Sequence, residues 1–324
     1  MGVININNIT KDYGNQKGVF DLSFEVHEGE VMGFLGPNGA GKTTTIRQLL
    51  GFTKPDKGSV TILDNDCFNQ AAKIQKVLGY LPGEIAFMDS MSGKEFIRFI
   101  ADMKGMKDMK RANELMERFE LDPSGRIKKM SKGMKQKIGI VCAFMQDPKI
   151  LILDEPTSGL DPLMQNRFVE LILEEKKRGK TILMSSHIFE EVERTCDRAA
   201  IIRQGRLVAV DDMEKLCQSK KKKMEITFAD AEMAKSYAAA FPKAAVQGSR
   251  VMMSVGSNVD MAVKEAARYT VRDISMNTQS LEEFFMHFYE AENHTLSSHS
   301  ATQNKEVNTS AHMSSHSAAQ NKEV

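Results

Sequence analysis

Residues 36–44 read Gly-Pro-Asn-Gly-Ala-Gly-Lys-Thr-Thr, placing Gly36, Gly41, Lys42 and Thr43 at the spacing G-x-x-x-x-G-K-[ST]. A loop of this kind wraps a dense anionic group in backbone N–H. Gly36, Gly39 and Gly41 keep side chains out of the way and allow backbone angles that other residues avoid. Lys42 can reach the β- and γ-phosphates of a nucleoside triphosphate, and the Thr43 hydroxyl suits the shell of a Mg²⁺ ion. Pro37, Asn38, Ala40 and Thr44 complete the cradle. The flanks agree. Val31–Leu35 is a continuous apolar run that predicts a buried strand before the loop. Thr44–Leu50 predicts the helix after it, whose N-terminal dipole adds to an anion site. Strand, glycine loop and helix in this order demand an α/β fold.

The rest of the composition narrows the class. A chain of 324 residues is long enough for two domains. Its formal net charge of +1 gives no global basic excess, so no nucleic-acid partner is expected. Cys67, Cys142, Cys196 and Cys217 are scattered, with no C-x-x-C pair, and read as buried free thiols of a reducing compartment. The polar start at Asn5, Asn7 and Asn8 does not resemble a signal peptide. No stretch approaches the roughly 18 apolar residues of a membrane span. The expectation is a soluble cytoplasmic chain whose membrane role would need a partner.

Residues 1–218 alternate strand and helix patterns. Leu22, Phe24 and Val26 alternate with polar residues, as in an antiparallel strand with one wet face. Ile150–Leu153, Thr181–Met184 and Ala199–Ile202 read as central parallel strands, and Leu163–Arg178 as a helix. From about 84 to 130 the strands stop. Ser92 and Glu95 form a capping box ahead of Phe96, Ile97, Phe99 and Ile100, a second helix is expected around Asp108–Phe119, and the segment reads as a helical insertion. Lys220–Lys223 reads as a solvated linker over 219–224, with acidic lipid or RNA as the other partner such a run can meet. Residues 225–290 follow the order β-α-β-β-α-β plus a helix over Leu281–Glu290, consistent with a small α+β domain of ferredoxin-like type. Residues 291–324 are polar, and Ser297–Val307 recurs almost unchanged as Ser314–Val324. This tail is expected to be disordered.

The chemistry-bearing residues follow the same order. Ile150–Leu153 ends in Asp154 and Glu155. In a nucleotide-hydrolysing fold a strand beside the loop delivers an acid to the metal, a place that Asp154 fits. Glu155 is directed differently and can polarise water. Alone, an apolar run before Asp-Glu is weak evidence. It is followed by Pro156-Thr157-Ser158-Gly159-Leu160-Asp161, and the combination is specific.

With these motifs the chain resembles the nucleotide-binding subunit of an ABC transporter, over roughly residues 3–218. The resemblance implies the P-loop NTPase fold with an antiparallel β region and the family's helical subdomain. Ser158–Asp161 resembles the D-loop, which crosses between two such subunits. Met130–Lys137 resembles the signature motif L-S-G-G-Q, whose Ser131 and Gly133 would close over the nucleotide held by the opposite subunit. A hydroxyl, a glycine N–H and a helix N-terminus together suit phosphate. His187 matches the switch histidine that contacts the γ-phosphate. By itself it would read as a helix-capping residue. Tyr13 resembles the aromatic that stacks on adenine, and by itself would read as a strand-end residue.

Two departures stand out. The signature carries Lys132 for its first Gly and Met134 for its Gln. After Leu78–Pro82 the family's Gln is replaced by Gly83-Glu84. Both departures resemble exporter-type members, including drug and antimicrobial-peptide resistance systems. The resemblance implies two subunits, this chain with a second copy or a related one, enclosing ATP and Mg²⁺. Lys42, Glu155 and His187 would act in hydrolysis, Asp161 would lie at the nucleotide interface, and a separate polytopic permease would move the cargo. The chain would sit peripherally on the inner face of the membrane. The other reading is a soluble regulator that applies the same clamp to a ribosome, DNA or protein. The single phosphate loop and the lack of sustained heptads argue against it.

Overall fold

A computed structural model describes residues 2–88, 90–218, 222–255 and 259–278 of the chain. The chain divides into two units, Met1–Gln218 and Ser219–Val324. The first begins with β1 (Gly2–Asp12), β2 (Gly18–His27), β3 (Val31–Leu35), α1 (Lys42–Leu49), β4 (Lys57–Ile62) and β5 (Asn65–Asp66). It continues through α2 (Ala71–Ile74), β6 (Leu78–Leu81), α3 (Gly93–Met103), α4 (Lys110–Arg118), α5 (Lys132–Phe144), β7 (Ile150–Asp154) and α6 (Pro162–Lys177). It closes with β8 (Thr181–Ser186), α7 (Phe189–Thr195), β9 (Arg198–Arg203), β10 (Arg206–Asp212) and α8 (Met213–Gln218).

These strands form two sheets. An antiparallel sheet has the order β2-β1-β4-β5, with Ile6 opposite both Phe24 and Val60. A six-stranded sheet has the order β10-β9-β3-β8-β7-β6 and is parallel except for the β9–β10 pair. Every residue of β3, β7 and β8 is buried, so these strands show no polar alternation. By contrast Leu22, Phe24 and Val26 of β2 alternate inward and join Ile4, Ile6, Phe34 and Ile46 in one core. A side chain at Gly33 would collide with Val192, so α7 lies close against β3. Because β8 runs between β3 and β7, the carboxyl ends of three adjacent parallel strands open onto one edge, the usual place for a ligand in such sheets.

The segment between β6 and α5 is helical. Ser92 caps α3 by accepting from Glu95 N–H at 3.2 Å, while Glu95 Oε2 accepts from Ser92 N–H at 2.7 Å. Phe96, Ile97 and Ala101 are buried, and Phe99 and Ile100 half-buried. The second helix, α4, starts at Lys110 rather than Asp108. It is joined to the sheet layer by charge. Glu175 of α6, with a side chain only 3 % exposed, accepts from Arg111 at 2.6 Å and from Arg178 at 2.9 Å. Removing the acceptor leaves Arg111 with Glu114 and Arg178 with Asp147, so Glu175→Ala is expected to destabilise this unit by about 2 kcal/mol, the loss of charge-assisted hydrogen bonds to a buried carboxylate. Chemical denaturation reads this directly, and a loss below about 1 kcal/mol would show that solvent replaces the pair.

The second unit contains β11 (Lys222–Phe228), α9 (Ala231–Ala238), β12 (Ala245–Gln247), β13 (Arg250–Ser254), α10 (Val259–Ala266) and β14 (Val271–Thr278). Its sheet order is β12-β13-β11-β14, antiparallel throughout, which is the ferredoxin-like arrangement. Met224, Ile226, Phe228, Val251 and Tyr237 fill its core, and Tyr237 donates its hydroxyl to Ala262 O at 3.1 Å. Of the residues 219–224 expected as a linker, those from Lys222 onward belong to a strand. β11 already begins at Lys222, because Met224 is needed in the core while Lys222 and Lys223 extend to solvent. The helix expected over Leu281–Glu290 and the tail 291–324 lie outside the described residues.

Candidate functional site

The phosphate loop joins β3 to α1. Gly41 caps α1 with φ of 111° and Gly39 has φ of 80°, conformations that a side chain would strain. A side chain at Gly36 would run into the Ile202 carbonyl. Pro37 and Ala40 close the loop through Ala40 N–H to Pro37 O at 3.1 Å. Asn38 and Gly39 are exposed at its crest. Lys42 is 5 % exposed and folds back, donating to Gly36 O at 2.5 Å and Pro37 O at 3.3 Å.

A chain of short contacts runs from α1 to β7 and β8. The Thr43 hydroxyl donates to Asp154 Oδ2 at 3.0 Å, and the Ser185 hydroxyl donates to Asp154 Oδ1 at 2.5 Å. Asp154 is 1 % exposed, so its carboxylate is oriented from both sides. Ser185 Oγ in turn accepts from Glu155 N–H at 3.1 Å. Glu155 has φ of 49°, a left-handed turn that sends its side chain away from the strand and onto His187. Glu155 Oε2 lies 2.6 Å from His187 Nδ1, and Oε1 lies 3.1 Å from Lys42 Nζ. That second contact is an ion pair without hydrogen-bond alignment, since Oε1 is buried and has no hydrogen-bond partner. A buried carboxylate oxygen left unaligned is free to take a new donor such as a water. Gly83 stands beside this group, and a Cβ there would sit 3.3 Å from Asp154 Oδ2. The position where a Gln was expected therefore borders the acid, with space instead of a side chain.

The other expected residues lie elsewhere on the unit. Ser131 caps α5, its Oγ accepting from Met134 N–H at 3.2 Å. Gly133 packs on the turn 158–159, where a Cβ would be 2.7 Å from Gly159 O. Lys132 spans the same turn and donates to Ser158 Oγ at 2.8 Å. Asp161 caps α6 by accepting from Met164 N–H at 3.0 Å. Thr44 is half-buried in the first turn of α1. Tyr13 is 55 % exposed, its ring face open apart from Lys11 at 5.9 Å from the centroid. The structure thus brings Gly36, Pro37, Lys42, Thr43, Asp154, Glu155 and His187 together. Ser131 and Gly133 form a separate face with the 158–159 turn of the same chain.

The model of the ABC transporter family matches residues 19–158. The linearmycin resistance ATP-binding protein LnrL of Bacillus subtilis (strain 168) is 38% identical over 215 residues, covering 65% of this chain and 69% of the relative. The bacitracin transport ATP-binding protein BcrA of Bacillus licheniformis is 36% identical over 231 residues, covering 70% and 76%. This chain belongs to the ABC transporter ATP-binding family. A solved ATP-binding subunit of an ABC transporter superposes with a TM-score of 0.62 at 32% identity, covering 66% of this chain and 91% of that one. The stretch that the family model matches lies wholly within the first unit, as do the contacts described above. Among the described residues, no helix is long and apolar enough to cross a membrane.

Two residues that shape this site escaped sequence reasoning. Ser185 orients both Asp154 and the Glu155 backbone. Gln136 is 4 % exposed and donates to Pro156 O at 2.8 Å, fixing the turn after β7 from α5. The doublet Ser185-Ser186 before His187 was the available signal for the first. The second lies within Met130–Lys137, but nothing in that pattern points to the turn after β7 as its partner.

Proposed function

We propose that the chain is the ATP-hydrolysing subunit of a transporter, pairing with a second copy and driving export of a drug, peptide or lipid-like cargo through a separate permease at the inner face of the membrane. The observation that carries this reading is Glu155 held between Lys42 and His187 at the mouth of the phosphate loop. ATP would take Lys42 and the loop amides on its β- and γ-phosphates, with adenine on Tyr13. Ser131 and Gly133 of one copy would cover the γ-phosphate held by the other, so neither site is complete alone. The exposed N-terminus of α5 with its neighbouring Lys132 supports that role, since both favour an anion.

Glu155 accepts a proton from the attacking water and His187 holds Glu155 and the γ-phosphate in register. Oxygen donors from Thr43 and Asp154 fit Mg²⁺, which prefers hard ligands and keeps several waters. The ion would neutralise phosphate charge as the bond to the leaving group lengthens. Lys42 adds a fixed positive charge at the same place. The names of relatives concerned with linearmycin resistance and bacitracin transport support export.

The clamp is tested by light scattering on the full-length Glu155→Gln variant. With ATP it is expected to run at twice the monomer mass, and with ADP at the monomer mass. A variant that stays monomeric at saturating ATP rules out pairing of identical copies.

A further inference from the structure

We propose that Glu191 is a positioning residue for hydrolysis, tying the turn that carries Glu155 to the turn that carries His187. The inference rests on the assignment of Glu155 as the group that accepts the proton. Glu155 and His187 sit at the ends of two neighbouring strands, β7 and β8, and their 2.6 Å contact depends on how those two ends are spaced. One buried side chain spans the gap behind them. Thr157, two residues after Glu155, donates its hydroxyl to Glu191 Oε1 at 2.5 Å. Ser186, immediately before His187, donates to Glu191 Oε2 at 3.2 Å, and its Oγ accepts from Ile188 N–H at 2.9 Å. Each carboxylate oxygen therefore holds one catalytic turn.

Glu191 has a firm base. It lies in α7, which packs closely on β3 beside Gly33, and its own carbonyl accepts from Thr195 Oγ1 at 2.7 Å. It is 7 % exposed, so bulk water does not compete for its oxygens. Burial raises the affinity of this carboxyl for a proton, and the hydroxyls of Thr157 and Ser186 pull the other way. The nearby charge of Glu155 adds to the first effect. Two hydroxyl donors suit a carboxylate, which offers an acceptor on each oxygen. A carboxamide offers one acceptor, and the hydroxyl that meets its NH₂ must turn to accept instead of donate, so a charge-assisted tie becomes a longer, neutral one without a change of volume. Nothing in this arrangement places Glu191 in contact with the nucleotide.

The test compares Glu191→Gln in two backgrounds of the full-length chain. In the wild-type background kcat is expected to fall about 10- to 100-fold, as for a reacting group displaced by a fraction of an ångström. KM for ATP is expected to stay within about twofold, because the phosphate loop is untouched. In the Glu155→Gln background, single-turnover rates should fall no further, because the group being positioned is already disabled. A wild-type kcat in Glu191→Gln would overturn the proposal, and so would an equal loss in both backgrounds. Thr157→Val removes one of the two ties and leaves Glu191 in place. It keeps the test decisive should Glu191→Gln fail to fold. Turnover that survives Glu155→Gln alone would instead remove the assignment beneath this inference, whatever Glu191→Gln does.

Discussion

Glu155→Gln is expected to reduce ATP turnover by about 10²- to 10⁴-fold, the range spanned by a lost general base. The amide keeps the volume and can still meet His187, so the turn after β7 stays in place. It cannot take a proton from water. Nucleotide affinity should hold or rise, because a negative charge 3.1 Å from Lys42 and next to the phosphate loop has been removed. The expected pattern is tight ATP binding with turnover nearly abolished, measured by phosphate release against fluorescent-nucleotide titration. A wild-type rate would show that Glu155 is not the proton acceptor.

Lys42→Ala should weaken ATP binding by at least roughly a hundredfold, corresponding to about 3 kcal/mol for charge-assisted hydrogen bonds to phosphate. The ammonium lies inside the loop, bonded to Gly36 O and Pro37 O, so it is pre-positioned for the phosphates. The substitution also strands Glu155 Oε1 without a counter-charge at the place where the phosphates arrive. Both effects act in the same direction. Isothermal titration with ATP gives the answer, and unchanged affinity would remove the phosphate loop from the binding site.

The parts of the site legible in the sequence were those built from contiguous residues. The glycine loop, the apolar strand ending in Asp154-Glu155 and the apolar strand ahead of His187 each carry strand, turn and functional group in a few positions. The ferredoxin-like order of the second unit was legible because each strand and helix keeps its own periodicity. What escaped was what tertiary packing decides. Gln136, Ser185 and Glu191 act by reaching turns about 20–34 residues away in the chain, and no local pattern announces such a partner. Lys222 and Lys223 read as linker because charge dominates that stretch. The pairing of β11 with both β13 and β14 outweighs it, since a strand can carry lysines at its wet end while Met224 enters the core. Gly83 could be read only as a missing Gln. The fold gives it a neighbour, Asp154, and hence a meaning as space beside the acid.

The central claim is that this ATPase works for a membrane protein it does not itself contain. The most direct test is purification of the tagged full-length chain from membranes of its native host in mild detergent, with mass spectrometry and stoichiometry of the co-purifying proteins. The expected result is one polytopic membrane protein in stoichiometric amount, retained through a second purification step. Recovery in the soluble fraction with ribosomal proteins or nucleic acid would contradict the transporter account and assign the same ATP clamp to a soluble machine.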